Sequence, residues 1–156
     1  MVGMKLRLSV IGLIIFLLPM LINVVYFMLA PKGESKVESN GTNVIEIIEQ
    51  GSRILFAITI CFLVSNKDVN FKSPFLYISL LFLVLYYIVW IRYFIGGMGE
   101  KLLGMNFLFV PIHLAIFPVL YFIFASLWMN NYIATAIMII FGISHFIVSY
   151  QNLYKK

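Results

Sequence analysis

Long apolar runs separated by short polar stretches dominate this chain. Leu8 to Ala30 carries no charge over 23 residues. At about 1.5 Å per residue it is long enough to cross roughly 30 Å of hydrocarbon. Lys5 and Arg7 precede it, as in a signal peptide, but its apolar length exceeds the roughly 7 to 15 residues of a signal core. No A-x-A-like site closes it and Pro31 follows at once, so it is read as a retained helix with a kink at Pro19. A third run, Pro74 to Ile95, opens on a proline suited to a first helical turn and ends before Gly96-Gly97. From Leu102 to Tyr154 there are 53 residues without Asp, Glu, Lys or Arg. This is too long for one crossing. It divides at Asn130-Asn131 into spans of about 107–129, broken by Pro111 and Pro118, and 132–150.

The second run is ambiguous. Asn43 and Glu46 have capping-box spacing, which starts a helix near residue 44. Only Ile54 to Val64 is continuously apolar, and those 11 residues rise about 16 Å. A crossing must therefore take in 44–64, with Glu49, Gln50 and Arg53 inside the membrane. The alternative is a re-entrant or interfacial helix. The pattern as a whole predicts an all-α integral membrane protein. Its one domain is a compact bundle of about five transmembrane helices (8–30, 44–64, 74–95, 107–129 and 132–150) joined by short loops, the second being marginal.

Composition narrows the class further. Hydrophobic residues make up 63% of the chain and charged residues 11%. A soluble domain has roughly 25% charged residues and needs that polar surface. Aromatics reach 17%, and Tyr86, Tyr87, Trp90 and Tyr93 near the end of the third span are expected as interface anchors. The net charge of +5 comes from basic residues scattered singly or in pairs, which excludes a nucleic-acid face. The lone Cys61 makes no internal disulfide and is read as a small core- or lipid-facing residue. Lys5, Arg7, Lys67 and Lys72 on one side nearly balance Lys32, Lys36, Lys101, Lys155 and Lys156 on the other. The free amino group tips the orientation toward a cytoplasmic start. The expected location is the cell membrane, crossed several times.

Antiparallel crossing then makes a spatial statement. The end of span one, the start of two, the end of three, the start of four and the end of five share one side. Asn23, Glu46, Glu49, Arg53, Arg92, His113 and His145 all fall roughly 5 to 14 Å below that face. The other leaflet offers mainly the hydroxyls of Ser9, Thr59, Ser79, Ser126 and Thr135. Ionised groups are costly in hydrocarbon and usually face the bundle interior in pairs. Glu49 and Arg53 stand at i, i+4 in the favourable order. These seven residues are the candidate lining of a polar, ligand-binding cavity open toward one side. Each has a plainer alternative: Glu46 as a cap, Arg92 snorkelling to the interface, Asn23 bonded to a proline-freed carbonyl, each histidine bonded to a neighbouring helix, and Glu49–Arg53 as a structural ion pair.

The chemistry of the set is restricted. No H-E-x-x-H or similar spacing suggests a metal, and no cofactor motif is present. No Asp lies in any span, so a Ser-His-Asp arrangement is excluded and no catalytic residue is assigned. Two arginines and two histidines around one or two carboxylates suit an anionic head group or a carboxylate, and also proton movement. The expected function is binding or transport of a small polar or anionic molecule or lipid head group. The alternatives are a membrane-embedded enzyme acting on lipid, and a non-catalytic accessory, assembly or immunity membrane protein. Expected partners are membrane lipid, a small polar or anionic ligand, and further copies or subunits in a homo-oligomer or larger membrane complex.

Overall fold

A computed structural model of the chain describes residues 3–29, 44–98 and 113–154. The elements run β1 (Met4–Leu6), α1 (Val10–Leu29), α2 (Val44–Phe62), β2 (Leu63–Ser65), α3 (Pro74–Ile95), α4 (His113–Trp128) and α5 (Tyr132–Tyr154). Three helix starts show their local cause. Ser9 Oγ accepts the Gly12 N–H at 2.9 Å, Ser73 Oγ accepts the Phe75 N–H at 3.3 Å, and Asn131 Oδ1 accepts the Ala134 N–H at 3.1 Å. Each is a short polar side chain satisfying a first-turn donor that lacks an intrahelical partner. Pro74 occupies the first turn of α3, as its fixed φ favours. That helix stops at Gly96 and Gly97, the latter at φ 87°.

The expected second span is shorter than 44–64. α2 ends at Phe62, and Leu63–Ser65 leaves the helix to pair antiparallel with Met4–Leu6. The pairing extends beyond the strands: the Asn66 N–H donates to Gly3 O, the Arg7 N–H to Phe62 O and the Ser9 N–H to Cys61 O, at 2.7 to 2.9 Å. Chain segments on either side of a helical pair thus form a short ladder, which an all-helical expectation missed. Leu63, Val64 and Ser65 give no turn signal of their own. The ladder exists because the two segments meet.

That meeting fixes the chain directions. β1 leads into α1 and β2 leads out of α2, so α1 and α2 run antiparallel. They cross closely at Gly12, where a Cβ would come within 2.0 Å of the Ile60 carbonyl oxygen. The α4–α5 turn lies at the same end, because Asn131 Nδ2 donates to Leu63 O at 2.8 Å and Trp128 Nε1 to Asn70 O at 2.9 Å. This end of the bundle is the strand pole. The end of α1, the start of α2, the end of α3 and the later half of α5 belong to the opposite pole. α2 packs on α5, α5 on α4 and α4 on α3, with α1 against α2, α3 and α4.

The core is aromatic and aliphatic. Phe56, Ile60, Tyr121, Phe122, Ala125 and Met138 are buried at its centre. A second cluster joins Tyr86, Val89, Trp90, Tyr93 and Phe117. This corrects the expectation of interface anchors: Tyr86, Trp90 and Tyr93 are buried, and with Val89 they form an i, i+3, i+4, i+7 stripe facing the neighbouring helices. Tyr87 is half-buried and its hydroxyl donates to Leu18 O of α1. Cys61 belongs to the main core.

Three helical stretches are long and apolar enough to cross a membrane: Val10–Leu29, Pro74–Ile95 and Tyr132–Gln151. Their outward faces carry exposed Leu13, Leu17, Leu21, Leu81, Val84, Ile139 and Ile143. Such contiguous apolar surface suggests a membrane location on composition. α4 is a shorter apolar helix of 16 residues, and the part of the expected fourth span before His113 lies outside the described residues. α2 carries Glu46, Glu49 and Arg53 within its 19 residues.

Candidate functional site: a charged cluster between α2 and α5

The cluster begins with helical spacing. Glu49 and Arg53 are one turn apart on α2, and Arg53 Nη2 donates to Glu49 Oε1 at 2.9 Å. Helical side chains lean toward the N-terminus. The guanidinium therefore reaches back to the level of Glu49, five residues and about 8 Å from the first residue of α2. The packing of α2 on α5 supplies the third member. His145 Nδ1 lies 2.8 Å from the same Oε1 of Glu49. Phe141, one turn before His145 on α5, joins the two sides. Its ring stacks on the imidazole with centroids 5.0 Å apart and planes at 15°, and the Arg53 guanidinium carbon sits 5.5 Å from its centroid.

Exposure differs sharply among the three. The Glu49 side chain is 6% exposed, His145 25% and Arg53 49%. The carboxylate is thus an interior group receiving two partners on one oxygen, and the guanidinium is a half-open group at the rim. Burying a carboxylate is strongly unfavourable unless it is paired. Arg53 and His145 supply that pairing. Arg53 also has donors beyond the one directed to Glu49, and no described residue accepts them.

The other expected members are placed differently. Asn23 pairs with α3: its Oδ1 accepts the Tyr86 hydroxyl at 2.8 Å. The carbonyl freed by Pro19 is that of Ile15, and it is taken by the Tyr121 hydroxyl at 2.9 Å, not by Asn23. Glu46 is half-buried in the first turn of α2, and its expected capping partner Asn43 lies outside the described residues. Arg92 is half-buried in the last turn of α3, where a cation opposes the negative end of the helix dipole. His113 opens α4, and its side chain lies outside the described residues. Of the seven candidates, then, Arg53 and His145 both contact Glu49. Asn23 is tied to the aromatic cluster.

Two clefts in the bundle are apolar and lie elsewhere. One, of about 240 Å³, is lined by residues that include Ile15, Leu18, Ser79, Tyr121 and Trp128. The other, of about 330 Å³, lies between α4 and α5 around Val119 and Gly142. Neither is lined by Glu49, Arg53 or His145. Among the described residues no group of three or more His, Cys, Asp or Glu is placed to hold a metal ion.

Sequence reasoning missed Asn131, Phe141 and Tyr121. Asn131 is fully buried and serves three elements: it caps the start of α5 and donates to Thr59 O in the last turn of α2 and to Leu63 O at the start of β2. Its only sequence signal was the Asn-Asn break in an apolar run. Phe141 stands four residues before His145, a helical neighbour visible in the sequence, but its contact with Arg53 depends on the α2–α5 packing.

No protein-family model matches this chain, and no curated protein or solved structure matches it. The functional reading therefore rests on the geometry of the chain itself.

Proposed function

We propose that this is a multi-pass cell-membrane protein of five crossing helices, and that its Glu49–Arg53–His145 cluster binds a small polar or anionic molecule, such as a lipid head group. The observation that carries the reading is the asymmetry within the ion pair. Glu49 is buried and doubly held, whereas Arg53 is half exposed, bonded to Glu49 through Nη2 and backed by Phe141. A buried ion pair offsets its desolvation only when the remaining hydrogen-bonding groups of both members are satisfied, and Arg53 keeps donors that Glu49 does not use. An arginine with one edge anchored and others open suits recognition of an acceptor from outside.

The antiparallel α1–α2 arrangement supports α2 as a crossing helix. Its 19 residues extend about 28 Å, close to the hydrocarbon thickness. The guanidinium, about 8 Å from the helix start, is within reach of head groups by snorkelling. The buried Glu49 faces α5, away from lipid.

Mass spectrometry of the purified protein tests the reading. A polar or anionic molecule should co-purify with the parent chain and be lost from Arg53→Leu and His145→Leu, both accumulating normally in the membrane. Retention of the same molecule by both variants refutes the site. Cysteines introduced near positions 3 and 155 should be labelled from opposite sides of the membrane. Labelling of both from one side refutes five crossings.

A further inference from the structure

We infer that the group received by Arg53 is an oxyanion, a carboxylate or phosphate carried by a lipid head group or free in solution, and that Glu49 is its built-in competitor. In this scheme His145 takes over Glu49 when Arg53 turns to the ligand. The inference rests on the binding function proposed above and adds the chemistry of the ligand and its control.

The argument starts from one atom. Both Arg53 Nη2 and His145 Nδ1 contact Glu49 Oε1, at 2.9 and 2.8 Å. An incoming oxyanion presents to a guanidinium the same kind of acceptor oxygen that Glu49 presents, so one that takes the Nη2 edge bidentately competes with Glu49 for that donor. Withdrawing Arg53 from a carboxylate only 6% exposed would ordinarily leave a buried charge unpaired, a strongly disfavoured state. Here the carboxylate keeps its second partner. His145 is held by stacking on Phe141, so the imidazole and carboxylate form the fixed part of the cluster. Arg53 is the movable part: its side chain is the most exposed of the three, it has several rotatable bonds, and the Phe141 face lies under its guanidinium. The other charged side chain of α2 is the half-buried Glu46, one turn closer to the helix start than Gln50.

The full chain in phosphatidylcholine nanodiscs provides the test, with two probes: phosphatidic acid mixed into the discs, and inorganic phosphate added outside them. Retained lipid is counted by native mass spectrometry and phosphate affinity is measured by titration. The competition scheme gives shifts of opposite sign. Glu49→Gln should tighten anion binding by roughly threefold to tenfold, the range of one ordinary net hydrogen bond no longer competing at a half-exposed donor. His145→Phe keeps the stacked ring but removes the second partner of Glu49, so Arg53 is held more firmly and binding should weaken by about as much. Arg53→Gln should abolish it. A response to phosphatidic acid alone assigns the oxyanion to a head group, and a response to phosphate alone assigns it to a soluble ligand. If Glu49→Gln and His145→Phe both weaken binding while thermal unfolding shows them folded, competition is refuted and the cluster acts as one rigid receptor. If Glu49→Gln does not accumulate, unchanged or tighter binding in His145→Phe refutes it instead. Anion binding that survives in Arg53→Gln refutes the assignment to Arg53. If the parent chain binds neither probe yet retains a co-purifying polar molecule, the oxyanion assignment is refuted and the binding function stands; if it binds neither and retains none, the binding function itself is overturned.

Discussion

The two poles of the bundle use polar side chains in opposite ways. At the strand pole, Ser9, Thr59, Ser126, Asn131 and Thr135 are buried, and their hydrogen bonds close on backbone groups or on one another. These groups are neutral and satisfied. The opposite pole adds charged groups to neutral ones such as Asn23 and Tyr86, and one of the charged groups, Arg53, is half open. Hydrogen bonds that end on backbone groups fix where helices start and stop. Side-chain bonds between an acid, a base and an imidazole can be exchanged for others. The first pole is built for assembly, and the second holds the cluster proposed to bind a ligand.

Four experiments can break or sharpen this contrast. The largest effect is expected from Asn131→Ala, which removes one cap and leaves Thr59 O and Leu63 O without that donor. At about 1 to 3 kcal/mol per buried group left unsatisfied, the loss should be about 3 kcal/mol or more, read as a large fall in thermal unfolding temperature in detergent. A change below about 1 kcal/mol would remove the assembly role of the strand pole. Next is the pairing of Glu49 with Arg53. A double-mutant cycle with Glu49→Ala and Arg53→Ala should give a coupling of about 1 kcal/mol, held down by the half exposure of Arg53. Strict additivity would mean that the pair does not interact in solution.

Tyr121→Phe should cost a similar or slightly smaller amount, about 1 kcal/mol, because the Ile15 carbonyl freed by Pro19 loses its donor. No loss would show that the helix satisfies this carbonyl in another way. The smallest effect is expected from Thr135→Ala, below about 1 kcal/mol. Ser126 loses the Thr135 hydroxyl at 2.9 Å but keeps its bond to Ile123 O. Ligand retention should be unchanged in Asn131→Ala (where it still folds), Tyr121→Phe and Thr135→Ala. A specific loss of ligand from any of them at normal abundance would erase the difference between the poles.

Local spacing made part of the molecule legible. Pro74 marked the start of α3, and Asn130-Asn131 marked the division between α4 and α5. The i, i+4 spacing placed Glu49 beside Arg53, because a helix alone brings those positions together. The tyrosine and tryptophan stripe on α3 was visible as well, but the abundance of aromatics suggested an interface belt where packing made a core. His145 could be assigned to the correct pole by counting residues, yet no count says which neighbour it meets.

The sequence by itself determined the apolar helices, their approximate limits, and the pole on which Glu49, Arg53 and His145 fall. These follow from hydrophobic run length and from a fixed rise per residue, which are properties of a chain with its nearest neighbours. Only the tertiary structure decided that α2 packs on α5, so that Glu49 receives His145 and Arg53 lies over Phe141. It alone sent Asn23 to Tyr86, gave the Ile15 carbonyl to Tyr121, and drew Leu63–Ser65 out of helix to pair with Met4–Leu6. Each of these depends on contacts between residues from about 60 to more than 100 positions apart. Several helix pairings satisfy the same hydrophobic pattern, and what selects among them is the fit of particular side chains and the satisfaction of buried polar groups.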